Sequence, residues 1–325
     1  MEKFTHIDQF YQVVKLSRNR VFGDIDYRGS VKLHGSNAGV ICTKEKLIPQ
    51  SRNRQLSILK DNMGFASFAL KRESQIRNIE QKIRKSANLD SNSPLALYGE
   101  FIGSGIQNGV AVSKFSERQW VLFAVKAPEK GYIDELFPFE DEFSEFSMYS
   151  VFDVPTWKIN LDFNDKDDLE EKSKVIEIYT QKVEELCPWG NKFGISGMGE
   201  GIVWVPTGNR WGDTRLFFKT KGLKHKVVKK ANRNKSIIDP EIIENSNKFV
   251  EYAVTENRLN QGIDYLKEMD YSIEMKSTGH FLKWIANDIM RECKQELVEN
   301  DLSWKQVAKQ VNERARIFFV SKAKE

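Results

Sequence analysis

Val31-Lys32-Leu33-His34-Gly35-Ser36-Asn37 is the stretch that decides the fold of this chain. It places a lysine in an apolar-flanked, strand-like run, directly before a glycine turn. A surface lysine needs no such setting, whereas an amine that attacks an electrophile must be unprotonated and held in place. Glycine allows the backbone of the turn to approach a bound ligand closely. Because Lys-x-x-Gly occurs by chance in many proteins, its weight depends on the blocks that follow it.

Length and charge allow one large domain and a smaller one. The chain has 325 residues, of which 40% are hydrophobic and 30% charged, and its net charge is only +4. The distribution of charge is less even, because no acidic residue lies between Asp213 and Asp239, where nine lysines and arginines crowd together. Such a run indicates either a polyanionic partner or a solvated linker, and both readings stay open.

Cysteine and histidine usage argues against a disulfide framework and a zinc site. Cys42, Cys187 and Cys293 are widely separated and odd in number, and the four histidines are scattered. The N-terminus lacks a basic-then-apolar signal, and no apolar run reaches membrane-spanning length. We therefore expect a soluble, cytoplasmic protein with no membrane partner and no obligatory protein partner.

Hydrophobic periodicity predicts a β-rich first part and a helical second part. Strands are predicted within 28–54 and at 94–102, 119–127, 200–206 and 214–220, and helices at 6–17, 65–87 and 166–186. After about residue 236, apolar residues recur at helical spacing, and Ser303-Trp304-Lys305-Gln306 has the pattern of a capping box. The sequence predicts one domain over 1–230 and a helical domain over 236–325.

Five short blocks occur in order along the first domain. They are Lys32-Leu33-His34-Gly35, Ser51-Arg52-Asn53, Leu97-Tyr98-Gly99-Glu100-Phe101, Gly199-Glu200-Gly201-Ile202-Val203 and Phe218-Lys219-Thr220-Lys221. Their order and spacing resemble the covalent nucleotidyltransferases, and within that superfamily the RNA ligase 2 family. The resemblance covers about residues 1–230. It implies an α+β nucleotidyltransferase core of antiparallel sheets with flanking helices, followed by an all-helical C-terminal domain.

The resemblance implies an ATP-dependent RNA ligase that joins 3′-hydroxyl and 5′-phosphate ends, at nicks in duplex RNA or at broken ends. In this family a lysine takes AMP from ATP, passes it to the RNA 5′-phosphate, and a 3′-hydroxyl then displaces it. Such transfers depend on positioning and on neutralising phosphate charge. Lys32 matches the nucleophile. His34 stands where DNA ligases and capping enzymes carry Asp, and it matches a residue that contributes to sealing.

The remaining blocks match groups that hold the nucleotide. Asn37 and Arg52 resemble nucleotide contacts, with Arg54 as the alternative to Arg52, and Glu100 resembles the acceptor of the ribose hydroxyls. Glu200 resembles the acid that orients metal and phosphate, which implies Mg²⁺ or Mn²⁺ because carboxylates near phosphate need a bridging cation. Strand alternation places Lys219 and Lys221 on one face, where both can grip the α-phosphate.

The block that should stack on adenine departs from the family pattern, which has an aromatic residue followed by Asp. A strict match to Trp120-Val121-Leu122-Phe123-Ala124-Val125-Lys126 puts Val125 at the stacking position. Because side chains alternate along a strand, Phe123 and Val125 face the same side. We therefore predict Phe123 as the stacking residue and Val203 as its aliphatic partner on the opposite face of the base.

Three other functions compete with this interpretation. A DNA ligase or a capping-type nucleotidyltransferase usually carries an OB-fold after the last lysine block, whereas helices are predicted here. A non-catalytic RNA-binding protein would fit the basic run but gives no reason for the ordered lysines and glutamates. A protein AMPylating enzyme would need a protein acceptor, to which nothing in the sequence points.

Overall fold

A computed structural model describes residues 1–17, 22–90, 92–222, 240–299 and 302–324. Contacts divide the chain into two compact units, Met1–Lys226 and Val227–Glu325. Outside the described residues lie the basic run at 224–235, the predicted boundary at 231–235 and Asp239, which the pattern Asp239-Pro240 predicts as a helix N-cap.

The first unit alternates short strands with a few helices. Its strands are β1 (Asp8–Gln9), β2 (Asp24–Lys32), β3 (Ser36–Cys42), β4 (Leu47–Ser51), β5 (Leu95–Ile102), β6 (Gln119–Ala127), β7 (Gly131–Ile133), β8 (Met148–Ser150), β9 (Trp157–Asp162), β10 (Gly201–Pro206) and β11 (Phe218–Lys221). Its helices are α1 (Phe10–Ser17), α2 (Phe65–Leu70), α3 (Glu73–Ala87), α4 (Lys166–Glu185) and α5 (Pro188–Lys192).

One five-stranded sheet, in the order β1-β11-β10-β2-β9, carries the lysines. Its pairings are antiparallel except for β1 with β11. Gly201 of β10 lies opposite Lys32 on one side and Lys221 on the other. Because directly opposed residues share a face, Lys32 and Lys221 emerge in one row across the sheet. The other face is apolar and contributes the buried Val31, Ile202 and Phe218 to the core.

A second sheet has the order β4-β3-β5-β6-β7, and β8 adds to β6 in parallel. The pairing of β5 with β6 shifts between Tyr98 and Gly99, so that Tyr98 opposes Ala124 and Gly99 opposes Leu122. Phe123 is the residue skipped by this shift. It is therefore the extra residue of a β-bulge, a feature that re-aims side chains.

Helix α4 shows how closely periodicity can predict a buried face. Its bounds agree with the predicted 166–186, but its buried residues are Ile176, Thr180 and Val183, and Ile178 is 52% exposed. The apolar spacing of the sequence predicts a buried face of Val175, Ile178 or Tyr179, and Val183; of these, Val183 is buried and Val175 and Tyr179 are partly buried against the core. The predicted helix over 65–87 is instead the two helices α2 and α3.

The second unit is helical over its described residues. Its helices are α6 (Pro240–Ala253), α7 (Glu256–Glu268), α8 (Thr278–Glu292), α9 (Lys294–Glu299) and α10 (Trp304–Lys322). The capping box at Ser303 and Gln306 forms as predicted. An α+β core of largely antiparallel sheets followed by a helical module is therefore confirmed. Of the helices that the structure describes, none has the length and apolar character needed to cross a membrane.

Candidate active site

The carboxylate of Glu200 is the centre of the site. Glu200 is only 3% exposed, and its Oε2 lies 2.5 Å from Lys32 Nζ and 3.3 Å from His34 Nδ1. Its Oε1 lies 3.2 Å from Lys221 Nζ. The three residues come from the end of β2, the turn after it and the end of β11. The fold thus brings three predicted catalytic residues onto the buried carboxylate of a fourth, Glu200.

Charge keeps this carboxylate ionised. Burial alone would raise the pKa of Glu200, but Lys32, Lys221 and His34 outweigh burial and hold that pKa well below its ordinary value. Removing one member of a buried charge cluster leaves the others uncompensated, which is costly. The amines of Lys32 and Lys221 are therefore held in place by a carboxylate that stays ionised.

Glu100 lies beside the cluster, but its pKa is shifted in the opposite direction. Burial raises its pKa to about 7, and this effect exceeds the opposing influence of Lys32 and of the backbone N–H of Gly35. That N–H donates to Glu100 Oε1 at 2.9 Å. Near neutral pH this carboxyl therefore changes between an acceptor and a donor of hydrogen bonds.

Gly35 is required by the closeness of the turn to β5. A Cβ at this position would lie 2.3 Å from the carbonyl oxygen of Phe101. Because that oxygen belongs to the backbone, no side-chain rotation could remove the clash. The carbonyl of Gly35 accepts from Gln107 Nε2 at 3.4 Å. Sequence reasoning missed Gln107, because a lone polar residue in a glycine-containing loop carries no periodic signal.

Gly201 allows β10 to approach the lysine-bearing strand β11 closely. Its φ of +149° lies in the region that favours glycine, and a Cβ there would lie 2.0 Å from the carbonyl of Thr220. Any larger residue would push β10 away from β11 and separate Glu200 from Lys221.

A second row of residues runs beside Lys32. Val203 of β10 lies opposite Ser30 on one side and Lys219 on the other. Phe218 and Thr220 are buried, whereas Lys219 and Lys221 are partly exposed, so the two lysines share a face as predicted. Val203 is likewise partly exposed, and it lies between Lys219 and Ser30 on this face of the sheet.

The predicted nucleotide contacts Asn37 and Arg52 also lie near Glu100. Asn37 is directly opposite Glu100 in the β3–β5 pairing. Arg52 is exposed, lowers the pKa of Glu100 by its charge and lies 3.5 Å from the His6 ring. The alternative Arg54 does not continue a strand, because β4 ends at Ser51. Its guanidinium instead donates to backbone carbonyls of the following loop.

The bulge in β6 corrects the argument used for the adenine-stacking position. Phe123 and Val125 do not share a face, because the extra residue reverses the alternation. Val125 is fully buried with Trp120 and Leu122, whereas Phe123 is partly exposed. Phe123 also packs edge-on against Phe4 of the N-terminal segment, with ring centroids 4.9 Å apart. Only Phe123 is placed to meet a ligand.

Known proteins resemble this chain at two levels. The sequence profile of the RNA ligase family matches residues 26–231. A comparison with curated proteins gave no significant match. Among solved structures, the Naegleria gruberi RNA ligase with PPi is 18% identical with a TM-score of 0.44, and the match covers 69% of this chain and 57% of that one. Mutants of the same ligase with ATP and Mn, or with AMP and Mn, match at 18% identity and TM-scores of 0.44 and 0.43.

This chain thus matches little more than half the length of that ligase. The profile match is the stronger finding, since it spans more than half of this chain and includes all five blocks. The chain belongs to the RNA ligase family.

Proposed function

We propose that this chain is an ATP-dependent RNA ligase that joins a 3′-hydroxyl to a 5′-phosphate through lysyl-AMP and RNA-adenylate intermediates. The observation that carries the proposal is the convergence of Lys32, His34 and Lys221 on the buried carboxylate of Glu200. A structural ion pair would need one lysine, whereas transfer of a charged phosphoryl group needs several fixed cations around one point.

Lys32 acts as the nucleophile in the first step. Its unprotonated amine attacks the α-phosphorus of ATP, so that a nitrogen–phosphorus bond forms, the bond to pyrophosphate breaks and the amine proton leaves. Lys219 and Lys221 neutralise charge on the α-phosphate during this step. Both emerge from one face of β11, and Lys221 is held toward Lys32 by the shared carboxylate.

The nucleoside is held by residues from both sheets. Glu100, as a carboxylate, accepts from the ribose hydroxyls, and Asn37 and Arg52 contact the ribose or phosphates beside it. Phe123 stacks on one face of the adenine and Val203 packs on the other. The partial exposure of Phe123 and Val203 supports these roles, since a fully buried residue could not meet a base.

Two further transfers complete the reaction. The RNA 5′-phosphate attacks the phosphorus of lysyl-AMP and frees the lysine, and the RNA 3′-hydroxyl then attacks the activated phosphate with loss of AMP. His34 contributes to the sealing step, in which the 3′-hydroxyl attacks. Its ring lies against Glu200, where it can orient the carboxylate or the incoming end.

Glu200 is the residue that would hold a divalent cation. The part of the chain that the structure describes has no cluster of three or more histidine, cysteine or carboxylate side chains suited to a metal. A single carboxylate such as Glu200 fits Mg²⁺ or Mn²⁺, because Mg²⁺ commonly binds through one carboxylate, phosphate oxygens and water. When bound, the cation would neutralise phosphate charge.

The two parts of the chain divide the work in this proposal. Residues 1–230 carry the nucleotide chemistry, and residues 236–325 engage RNA, either a nicked duplex or broken ends. The first assignment is supported by the location of every proposed site residue in the first unit. The second is supported by the helical architecture, which differs from the OB-fold of DNA ligases and capping enzymes.

The test is transfer of label from ATP that is radiolabelled at the α-phosphate. Wild-type protein with Mg²⁺ should acquire label and discharge it onto a nicked RNA duplex to give sealed product, and Lys32→Ala should acquire none. Label from GTP would favour a capping-type enzyme, and discharge onto nicked DNA alone would favour a DNA ligase. Label that no nucleic acid discharges would favour a protein acceptor, and absence of label would favour a non-catalytic RNA-binding protein.

A further inference from the structure

The loop between β4 and α2 presents two apolar side chains to solvent. Ile58 is 66% exposed and Leu59 is 96% exposed. Single exposed apolar residues are common and need no explanation, but two in succession at the tip of a loop form a small apolar surface. The sequence analysis gave this tip no role, and the proposed chemistry does not use it.

The loop is held firmly, so the exposure of its tip is built into the fold. Arg54 donates to the carbonyl of Lys60 at 3.1 Å and to that of Asp61 at 3.2 Å. The backbones of Ser57 and Lys60 exchange hydrogen bonds of 3.3 and 3.1 Å. These bonds close the turn that carries Ile58 and Leu59 and prevent the pair from folding back onto the core.

Both ends of the loop are tied to the candidate active site. At its start, Arg52 acts electrostatically on the partly buried carboxyl of Glu100. At its end, Asn62 Nδ2 donates to Ser36 Oγ at 3.2 Å, one residue after the Gly35 turn. Leu59 is three residues before Asn62, and three extended residues span at most about 11 Å. The apolar tip therefore lies within about 11 Å of Asn62, whose side chain reaches the turn of the site.

The charge around the tip is positive. Arg52 and Lys60 are exposed on either side of it. The nearest acid in sequence, Asp61, accepts hydrogen bonds of 2.6 to 3.0 Å from the backbone N–H groups of Asn62, Ala66 and Ser67. Because a phosphate backbone is negatively charged, it fits these positive surroundings better than a neutral protein surface would. The face of an unstacked base is a suitable partner for the apolar tip.

We propose that Ile58 and Leu59 form an apolar wedge that packs on a base of the RNA next to the reactive end, while Lys60 holds the adjoining phosphate. The proposal rests on the function proposed above and adds an RNA contact to the catalytic unit. Apolar wedges that pack against bases are known from proteins that distort nucleic acids. The wedge would position the RNA end after the enzyme has taken up AMP.

The double variant Ile58→Ser/Leu59→Ser tests the wedge, with Ile178→Ser as a matched control. Ile178 is also exposed, but it lies on α4. The wild type must first label with ATP and seal nicked RNA, since failure there would count against the proposed function and not against the wedge. The double variant should then label with ATP as fast as wild type, because no nucleotide contact has changed.

With a nicked RNA duplex, the double variant should need about tenfold more RNA for half-maximal sealing, as expected for one lost base contact. The control should need no more than wild type. A 2-aminopurine placed beside the nick should change fluorescence on binding wild type and less on binding the double variant. Equal RNA dependence and equal fluorescence changes would overturn the wedge and leave the tip as a surface for a protein partner.

Discussion

Replacing Glu100 with glutamine should stabilise the protein near neutral pH and above while weakening its use of ATP. Burial raises the pKa of this carboxyl from 4.5 to about 7, so the folded protein disfavours the carboxylate relative to the unfolded chain. The folded state therefore binds more protons than the unfolded state between these two values, and stability falls as pH rises through that window. Glutamine keeps an oxygen for the Gly35 N–H but cannot ionise.

The size of the effect follows from the width of that window. A rise in pKa from 4.5 to about 7 corresponds to about 3 kcal/mol of lost stability once the group is fully ionised. The Glu100→Gln variant avoids this cost. Its advantage over wild type should be near zero at about pH 4.5, grow up to about pH 7 and then level off. In a domain of this size that is about 6–12 °C in melting temperature.

Thermal or denaturant unfolding of both proteins at about pH 5 and about pH 8 measures this difference, because all other titrating groups are common to the two. The same variant should raise the ATP concentration needed for labelling, since an amide accepts from ribose hydroxyls with one oxygen and no charge. A variant that is no more stable than wild type at the higher pH, or whose advantage does not change with pH, would refute the account of Glu100.

Four further substitutions test the geometry of the site. Phe123→Ala should raise the ATP concentration needed for labelling about tenfold through lost stacking. Val125→Ala should leave that concentration unchanged and cost about 2 kcal/mol of stability, measured by denaturant unfolding. A raised ATP requirement for Val125→Ala and not for Phe123→Ala would contradict the bulge. Gly35→Ala should abolish labelling, because its Cβ would strike a backbone carbonyl at 2.3 Å; normal labelling would show that the turn can move. Glu200→Ala should slow labelling by about a hundredfold or more, since the surrounding cations lose their shared carboxylate; an undiminished rate would exclude it from the first transfer.

Alternation along a strand was reliable where the strand is regular. It predicted that Lys219 and Lys221 share a face, and the register of β11 with β10 shows that they do. It failed at Phe123 and Val125, because a bulge is set by pairing with the neighbouring strand and leaves no mark in the sequence of β6. The alternative Arg54 depended on the strand continuing past Arg52, and β4 ends at Ser51.

Long-range contacts explain most of what the sequence left out. β1 is two residues long and forms only by pairing with β11, so it has no pattern of its own. β9 does alternate, with Ile159 and Leu161 buried, and could have been predicted. The assembly of Lys32, Glu200 and Lys221 was predicted from a family resemblance and not from periodicity, because residues so far apart in sequence meet only through sheet pairing.

The most direct test of the central claim is to locate the AMP. Wild-type protein is incubated with ATP and Mg²⁺, digested, and its adenylylated peptide is identified by mass spectrometry. The account predicts AMP on Lys32 alone, in a linkage that is lost when nicked RNA is added. AMP on Lys219, Lys221 or any other residue would contradict it.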